Sequence, residues 1–165
     1  MRPFLFLSLV LVVACKKKPD DETIDGTWQL VPAQAAEGDC GTQLARLYFG
    51  TGGPWSVELE DKGSTLHLED SVRLGLWEGS GVHDLSFDGE AFNGDLFNGD
   101  QDQGTLDASV HAFAEVNGAF DDLESLQGLW TLDADCTGFD CEQVSDNYET
   151  PFPCTFTQLF SGTKG

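Results

Sequence analysis

The sequence predicts an all-β chain, an antiparallel meander that closes into a β-barrel or sandwich and is braced by disulfides. Three observations lead there. Short runs in which apolar and polar residues alternate with period two dominate the chain beyond residue 24. Turn residues, chiefly Gly beside Asp or Asn, punctuate those runs. Four cysteines, Cys40, Cys136, Cys141 and Cys154, form an even set with three members inside the last thirty residues.

The first fourteen residues belong to none of this. Arg2 precedes an apolar run from Phe4 to Ala14 that only Ser8 interrupts. This is the charged and apolar pattern of a secretory signal. As a helix it would extend about 15 Å, roughly half a hydrocarbon core, so it is too short to span a membrane. The segment closes with Val12-Val13-Ala14-Cys15. It resembles the lipobox of bacterial lipoproteins, in which small or aliphatic residues precede an obligatory cysteine. The resemblance implies cleavage before Cys15, a diacylglycerol thioether on that residue, and a membrane as partner through the acyl chains. Each buried methylene adds about 0.8 kcal/mol, so two or more chains make a stable anchor. Lys16, Lys17 and Lys18 follow, and each adds about 1 kcal/mol of attraction at an anionic leaflet. In diderm bacteria an aspartate after the cysteine is the familiar signal for inner-membrane retention. A lysine in that place implies the outer membrane of the cell envelope. The expected organisation is a signal peptide over 1–14, a lipidated cysteine and short tether over 15–23, and one all-β domain over 24–165.

The strands follow in order. Trp55, Val57 and Leu59 alternate with Ser56, Glu58 and Glu60, and Asp61-Lys62-Gly63-Ser64 supplies a turn before Leu66 and Leu68. Another turn at Glu69-Asp70-Ser71 leads to Val72, Leu74 and Leu76. Leu85 and Phe87 precede Asp88-Gly89, and Asn93-Gly94 and Asn98-Gly99 read as further hairpin turns. The longest predicted strand starts at Leu106, points Ala108, Val110, Ala112, Ala114 and Val116 one way, and ends at Asn117-Gly118. Alanines on one face predict a curved or close-packed wall. The best candidate for a helical turn is Asp121 to Leu126. Hairpins in series bury one face and wet the other.

All four tryptophans stand two residues after a glycine, as Trp28 does in Gly26-Thr27-Trp28. Glycine permits a positive φ or a close approach where a strand begins, and the first inward residue is then a large aromatic. At the first strand of the domain the tripeptide is also similar to the Gly-x-Trp signature of lipocalins and related calycin barrels. That resemblance implies a tryptophan closing a barrel floor beneath a cavity for a small apolar or amphipathic ligand.

In an exported chain the four cysteines are expected to form disulfides. If both are intrachain, Cys40 must join Cys136, Cys141 or Cys154. Such a bridge closes a loop of about a hundred residues, for which the chain-entropy model gives roughly 4–5 kcal/mol. It also brings the segment after the first strand beside the last strands, as closure of a meander does. No Cys-x-x-Cys pair and no nearby histidine suggest zinc.

Charge excludes one class of partner. Residues 19–165 hold four basic and all 29 acidic residues, a formal charge of −25. Phosphate backbones need clustered Lys and Arg, so nucleic acid is not a partner. Eighteen aromatic residues rule out a disordered acidic tail. Asn98-Gly99-Asp100-Gln101-Asp102-Gln103-Gly104 begins like a calcium loop. Its second glycine falls one position late, however, and Ser109 stands where the bidentate glutamate belongs, so it is read as a hairpin tip with no metal. Gly79-Ser80-Gly81 lacks the spacing of a nucleophile elbow, and His83-Asp84 aims its two side chains apart on a strand. No catalytic residue and no cofactor is expected.

Two functions lead, with a hydrolase a distant third. One is a lipid-anchored barrel binding a small ligand within; the other is a structural or interaction protein of the envelope with a filled core. Trp77, Phe92, Phe97 and Phe113 bear on the choice, with Trp77 and Phe113 expected on the outer face. Replacement Cys15→Ala is expected to abolish the anchor. Detergent-phase partitioning of the mature protein checks this, and partitioning that survives the change refutes it.

Overall fold

A computed structural model describes residues 23–49, 53–70 and 81–165. Cys15 with its lipobox and lysines, the predicted strand through Val72–Leu76, and Trp77 lie outside the described residues.

The sheet closes. Strands β1 (Gly26–Pro32), β3 (Trp55–Asp61), β4 (Thr65–Asp70), β5 (Val82–Phe87), β6 (Ala91–Asp102), β7 (Ala108–Phe120), β8 (Ser125–Gly138) and β9 (Cys154–Lys164) each pair antiparallel with the next. β9 returns to β1 from Trp28↔Lys164 to Pro32↔Phe160. The result is an eight-stranded barrel, with the two-residue β2 (Glu37–Gly38) continuing along β9 beyond β1. Two eight-residue helices, α1 (Thr42–Phe49) and α2 (Cys141–Tyr148), interrupt the meander.

The barrel has unlike ends. At the floor, tight turns join β3 to β4, β5 to β6 and β7 to β8, and both Thr23 and Gly165 sit beside them: Lys164 Nζ donates to the Thr23 carbonyl at 2.6 Å and the Gly165 N–H to that of Thr27 at 2.9 Å. At the mouth lie α1, α2 and both disulfides. Cys40–Cys154 ties the segment after β2 to the start of β9, and Cys136–Cys141 ties the end of β8 to the start of α2. The Gly41 N–H donates to Thr150 Oγ1 at 2.6 Å, joining the approach to α1 to the segment after α2.

Alternation predicted the inner faces of β3, β4 and β5 and of β7 as far as Val116 correctly. Trp55, Val57, Leu59, Leu66, Leu68, Leu85 and Phe87 are all buried, as are Ala108, Val110, Ala112, Ala114 and Val116. The turns were read less well. Asp88-Gly89 does turn β5 into β6, with Gly89 at φ +99°. Asn93-Gly94, Asn98-Gly99 and Asn117-Gly118 do not turn; they lie inside β6 and β7, and their glycines lack the positive φ a hairpin turn would need. Each puts an exposed asparagine outside and a glycine inside. A Cβ at Gly118 would fall 2.3 Å from the Phe92 ring, so the glycine makes room for an aromatic neighbour. Strand β7 accordingly continues to Phe120. Asp121–Leu126 is not helical: Asp122 Oδ1 accepts from the N–H groups of Glu124 and Ser125, which folds the chain into the β7–β8 hairpin.

The bridges differ in what they hold. Cys40–Cys154 spans a sequence separation of 114 and Cys136–Cys141 one of five. Loop-closure entropy assigns about 5 kcal/mol to the first and about 2 kcal/mol to the second. Thermal unfolding of the two double serine variants should therefore show the larger loss for Cys40–Cys154; a larger loss for the short loop would contradict this.

Candidate functional site

In an eight-stranded barrel the lumen is just wide enough to be filled by side chains or to hold one small ligand. What fills it decides between the two expected functions.

The lower lumen is full. Trp28, wholly buried near the start of β1, donates its indole N–H to the Ile24 carbonyl at 2.8 Å and meets Phe120 edge-on at 5.3 Å. Phe87 and Phe92 pack on the same Phe120 ring at 5.9 and 5.6 Å. Above them Trp130 stacks on Phe160 at 4.4 Å and takes Trp55 edge-on at 4.3 Å, across the space between β8 and β3. Such pairs add about 0.5–1.5 kcal/mol each beyond area burial. Space for the rings comes from glycines in register: a Cβ at Gly128 would meet the Phe160 ring at 2.2 Å. Trp28 thus closes the floor.

The upper lumen is built differently. Ladder registers place Gly99, Ala112, Ala134 and Cys154 side by side on the inner wall of β6, β7, β8 and β9. All four are small, Ala112, Ala134 and Cys154 are buried, and the Phe97 ring lies 3.2 Å from where a Gly99 Cβ would stand. Beside the row, the β5–β6 seam is short: its ladder holds only Ser86↔Asn93 and Phe87↔Phe92. α2 crosses the mouth above, fixed at one end by the Cys136–Cys141 bridge and at the other by Tyr148 Oη donating to Gln103 Oε1 at 3.2 Å. Its Val144 is wholly buried in the core.

Three polar side chains lie on the inner face here; one, Gln158 of β9, is satisfied by donating to the Gln34 and Leu159 carbonyls. His83 lies opposite buried Leu68 and is half-buried on the inner face. Burial disfavours the imidazolium and pushes its pKa below the usual 6.5. Gln101, opposite buried Val110, is the third. Its Oε1 is buried and, among the described residues, accepts no hydrogen bond. An acceptor left without a donor costs about 1–3 kcal/mol, and such groups call for an explanation. Half-buried Phe97 lies one inner position below Gly99 and completes the set.

Alternation missed Gln101 for a definite reason. Counting by two from Phe92 sends Gly94, Leu96, Asn98 and Asp100 inward. A bulge between Asp95 and Phe97 shifts the register, and Phe97, Gly99 and Gln101 turn inward instead. His83 was legible by counting back from Leu85 and Phe87. His83 and Asp84 do point apart, Asp84 Oδ1 meeting His67 Nδ1 at 2.8 Å on the outer face. His111 and Asp100 form a second outer pair at 3.0 Å. Among the described residues no three His, Cys, Asp or Glu side chains gather as metal ligands. All four cysteines predicted to oxidise are in the two bridges, Phe92 is in the floor cluster, and Phe113 is half-buried on the outer face.

No protein-family model, curated protein or solved structure matches this chain.

His83 gives the site a pH signature. Its folded pKa lies below its unfolded one, so the unfolded chain binds more protons and stability falls as pH drops below about 6.5. His83→Gln is expected to flatten the fall in unfolding midpoint between about pH 7 and about pH 5. An unchanged slope would place the effect elsewhere.

Proposed function

We propose that this chain is a lipid-anchored envelope protein that binds a small amphipathic ligand in the upper lumen of its barrel and catalyses no reaction. One observation carries the ligand reading: the buried, unpartnered Gln101 Oε1 lies on the wall that also holds the Gly99–Ala112–Ala134–Cys154 row. A ligand with one hydroxyl or amine would donate to that oxygen. Its apolar body would lie over the small residues against Phe97, with the Trp130–Phe160 stack as its base. Binding of this kind needs a mostly apolar space with few convergent polar groups, and Gln101 and neutral His83 supply them. The lipobox at Cys15 supports the anchor, and an outer-membrane address follows from Lys16 in the place of an aspartate. The aromatic packing of the lower lumen favours the second reading, a scaffold with a filled core, and one experiment separates the two.

N-Phenyl-1-naphthylamine is a neutral apolar fluorophore with a single N–H donor. The ligand reading predicts saturable, blue-shifted fluorescence on titration into the protein. Gln101→Leu should weaken binding about fivefold, the worth of one hydrogen bond near 1 kcal/mol, and Ala112→Leu should abolish it by filling the row. Absence of saturable binding, or binding indifferent to Ala112→Leu, would leave the filled scaffold as the function.

A further inference from the structure

Phe139 is 93% exposed, while the other exposed large apolar side chains among the described residues, Val31, Leu123 and Leu159, are 39–42% exposed. A flexible loop would let such a ring fold back on the surface; this loop is held. Cys136 and Cys141 bridge across it. Gly138 takes φ +121° and lies so close to β7 that a Cβ would fall 2.1 Å from the Asp107 carbonyl oxygen. Asp107 and Asp140 bond twice: the Asp107 N–H donates to Asp140 Oδ2 at 2.8 Å and the Asp140 N–H to the Asp107 carbonyl at 3.1 Å. Gly138, the residue before Phe139, lines a hollow of about 360 Å³ together with Asp102, Leu106, Asp107, Ala108 and Thr137 among others.

The elements that frame the loop carry one sign of charge, the cation of exposed Arg46 lying on α1. Asp102, Asp107, Asp135, Asp140 and Glu142 lie in the loop or in the strands and helix that frame it, and the sequence holds no Lys or Arg between Arg73 and Lys164. We infer that the Cys136–Cys141 loop is a docking element for a basic segment of another protein, with Phe139 as its aromatic anchor. A rigid exposed aromatic loses little entropy on binding and is the residue type that dominates interfaces. The phenyl face accepts a guanidinium or ammonium group, and the surrounding carboxylates steer cationic partners toward it. The same charge opposes two other occupants. A second copy would bring two acidic rims together, and an anionic lipid surface would be repelled. The loop also projects from the mouth, at the far end of β8 from the floor where Thr23 leads back to the proposed anchor. This inference is independent of any ligand in the lumen.

The test uses the full-length protein in neutral detergent and a fluorescent 14-residue peptide of alternating Arg and Leu, followed by anisotropy at near-physiological salt. Binding is expected, with Phe139→Ser weakening it at least tenfold and Phe139→Trp retaining it. Because the ring is exposed, Phe139→Ser should keep the unfolding midpoint and both disulfides. The inference is overturned if the peptide does not bind or if Phe139→Ser binds it within twofold of the parent. It is equally overturned if loss of the ring instead abolishes self-association or binding to phosphatidylglycerol vesicles.

Discussion

The ladder between β1 and β9 is the constraint on which the rest of the structure depends. Without it the meander is an open sheet with two unpaired edges, exposed to pairing with other chains. With it there is an inside, and every second residue of eight strands must fit there. The chain reinforces this closure covalently, since Cys40 follows β2 and Cys154 opens β9, the strand along which both β1 and β2 run. Closure fixes perimeter and therefore volume, which is why glycine and phenylalanine occupy matched inner positions at Gly118 with Phe92 and at Gly128 with Phe160.

Part of the extreme acidity is structural. Asp61, Asp88, Asp102 and Asp122 each accept backbone N–H bonds across a hairpin turn. In Asp88 and Asp122 those donors hold the carboxyl below its usual range, so both contribute more above that range and lose their contribution as pH falls through the lowered values. A short polar side chain that mimics a turn carbonyl is what a tight hairpin needs. Glu58, Glu60, Asp84, Asp95, Asp100 and Asp133 stand exposed on the outer face of the closed sheet. There they oppose association with like-charged molecules and leave a basic partner as the favoured encounter.

How much was legible follows from how local each signal is. Alternation is local, and it gave the inner faces of β3, β4, β5 and β7 residue by residue. Turn chemistry proved ambiguous, because Asn-Gly serves equally as a turn or as an outward asparagine beside an inward glycine. Only the neighbouring Phe92 ring, 26 residues from Gly118, decides for the second. α1 and α2 have two turns each and are stabilised by tertiary contacts, Leu44 and Val144 being fully buried; nothing in so short a stretch competes with the strand patterns around it. The lumen residues were hidden by a single extra residue, Leu96, which inverts the parity of the upper half of β6. Gln101 read as a polar residue of a hairpin tip, when its side chain is one of the few polar groups inside.

The two ends of the barrel divide the work. Floor turns are short, and each is satisfied by its own aspartate, so that end has little freedom and the aromatic cluster around Trp28 seals it. The mouth carries both helices, both disulfides, the row of small residues and the exposed ring. Cross-links belong where the chain departs from the ladder, because there backbone pairing no longer holds it in place. A short bridge at Cys136–Cys141 adds little to global stability, and its place at the base of Phe139 accords with holding a shape. The long bridge closes the larger loop of chain, whereas the short one holds the turn that presents Phe139 to solvent.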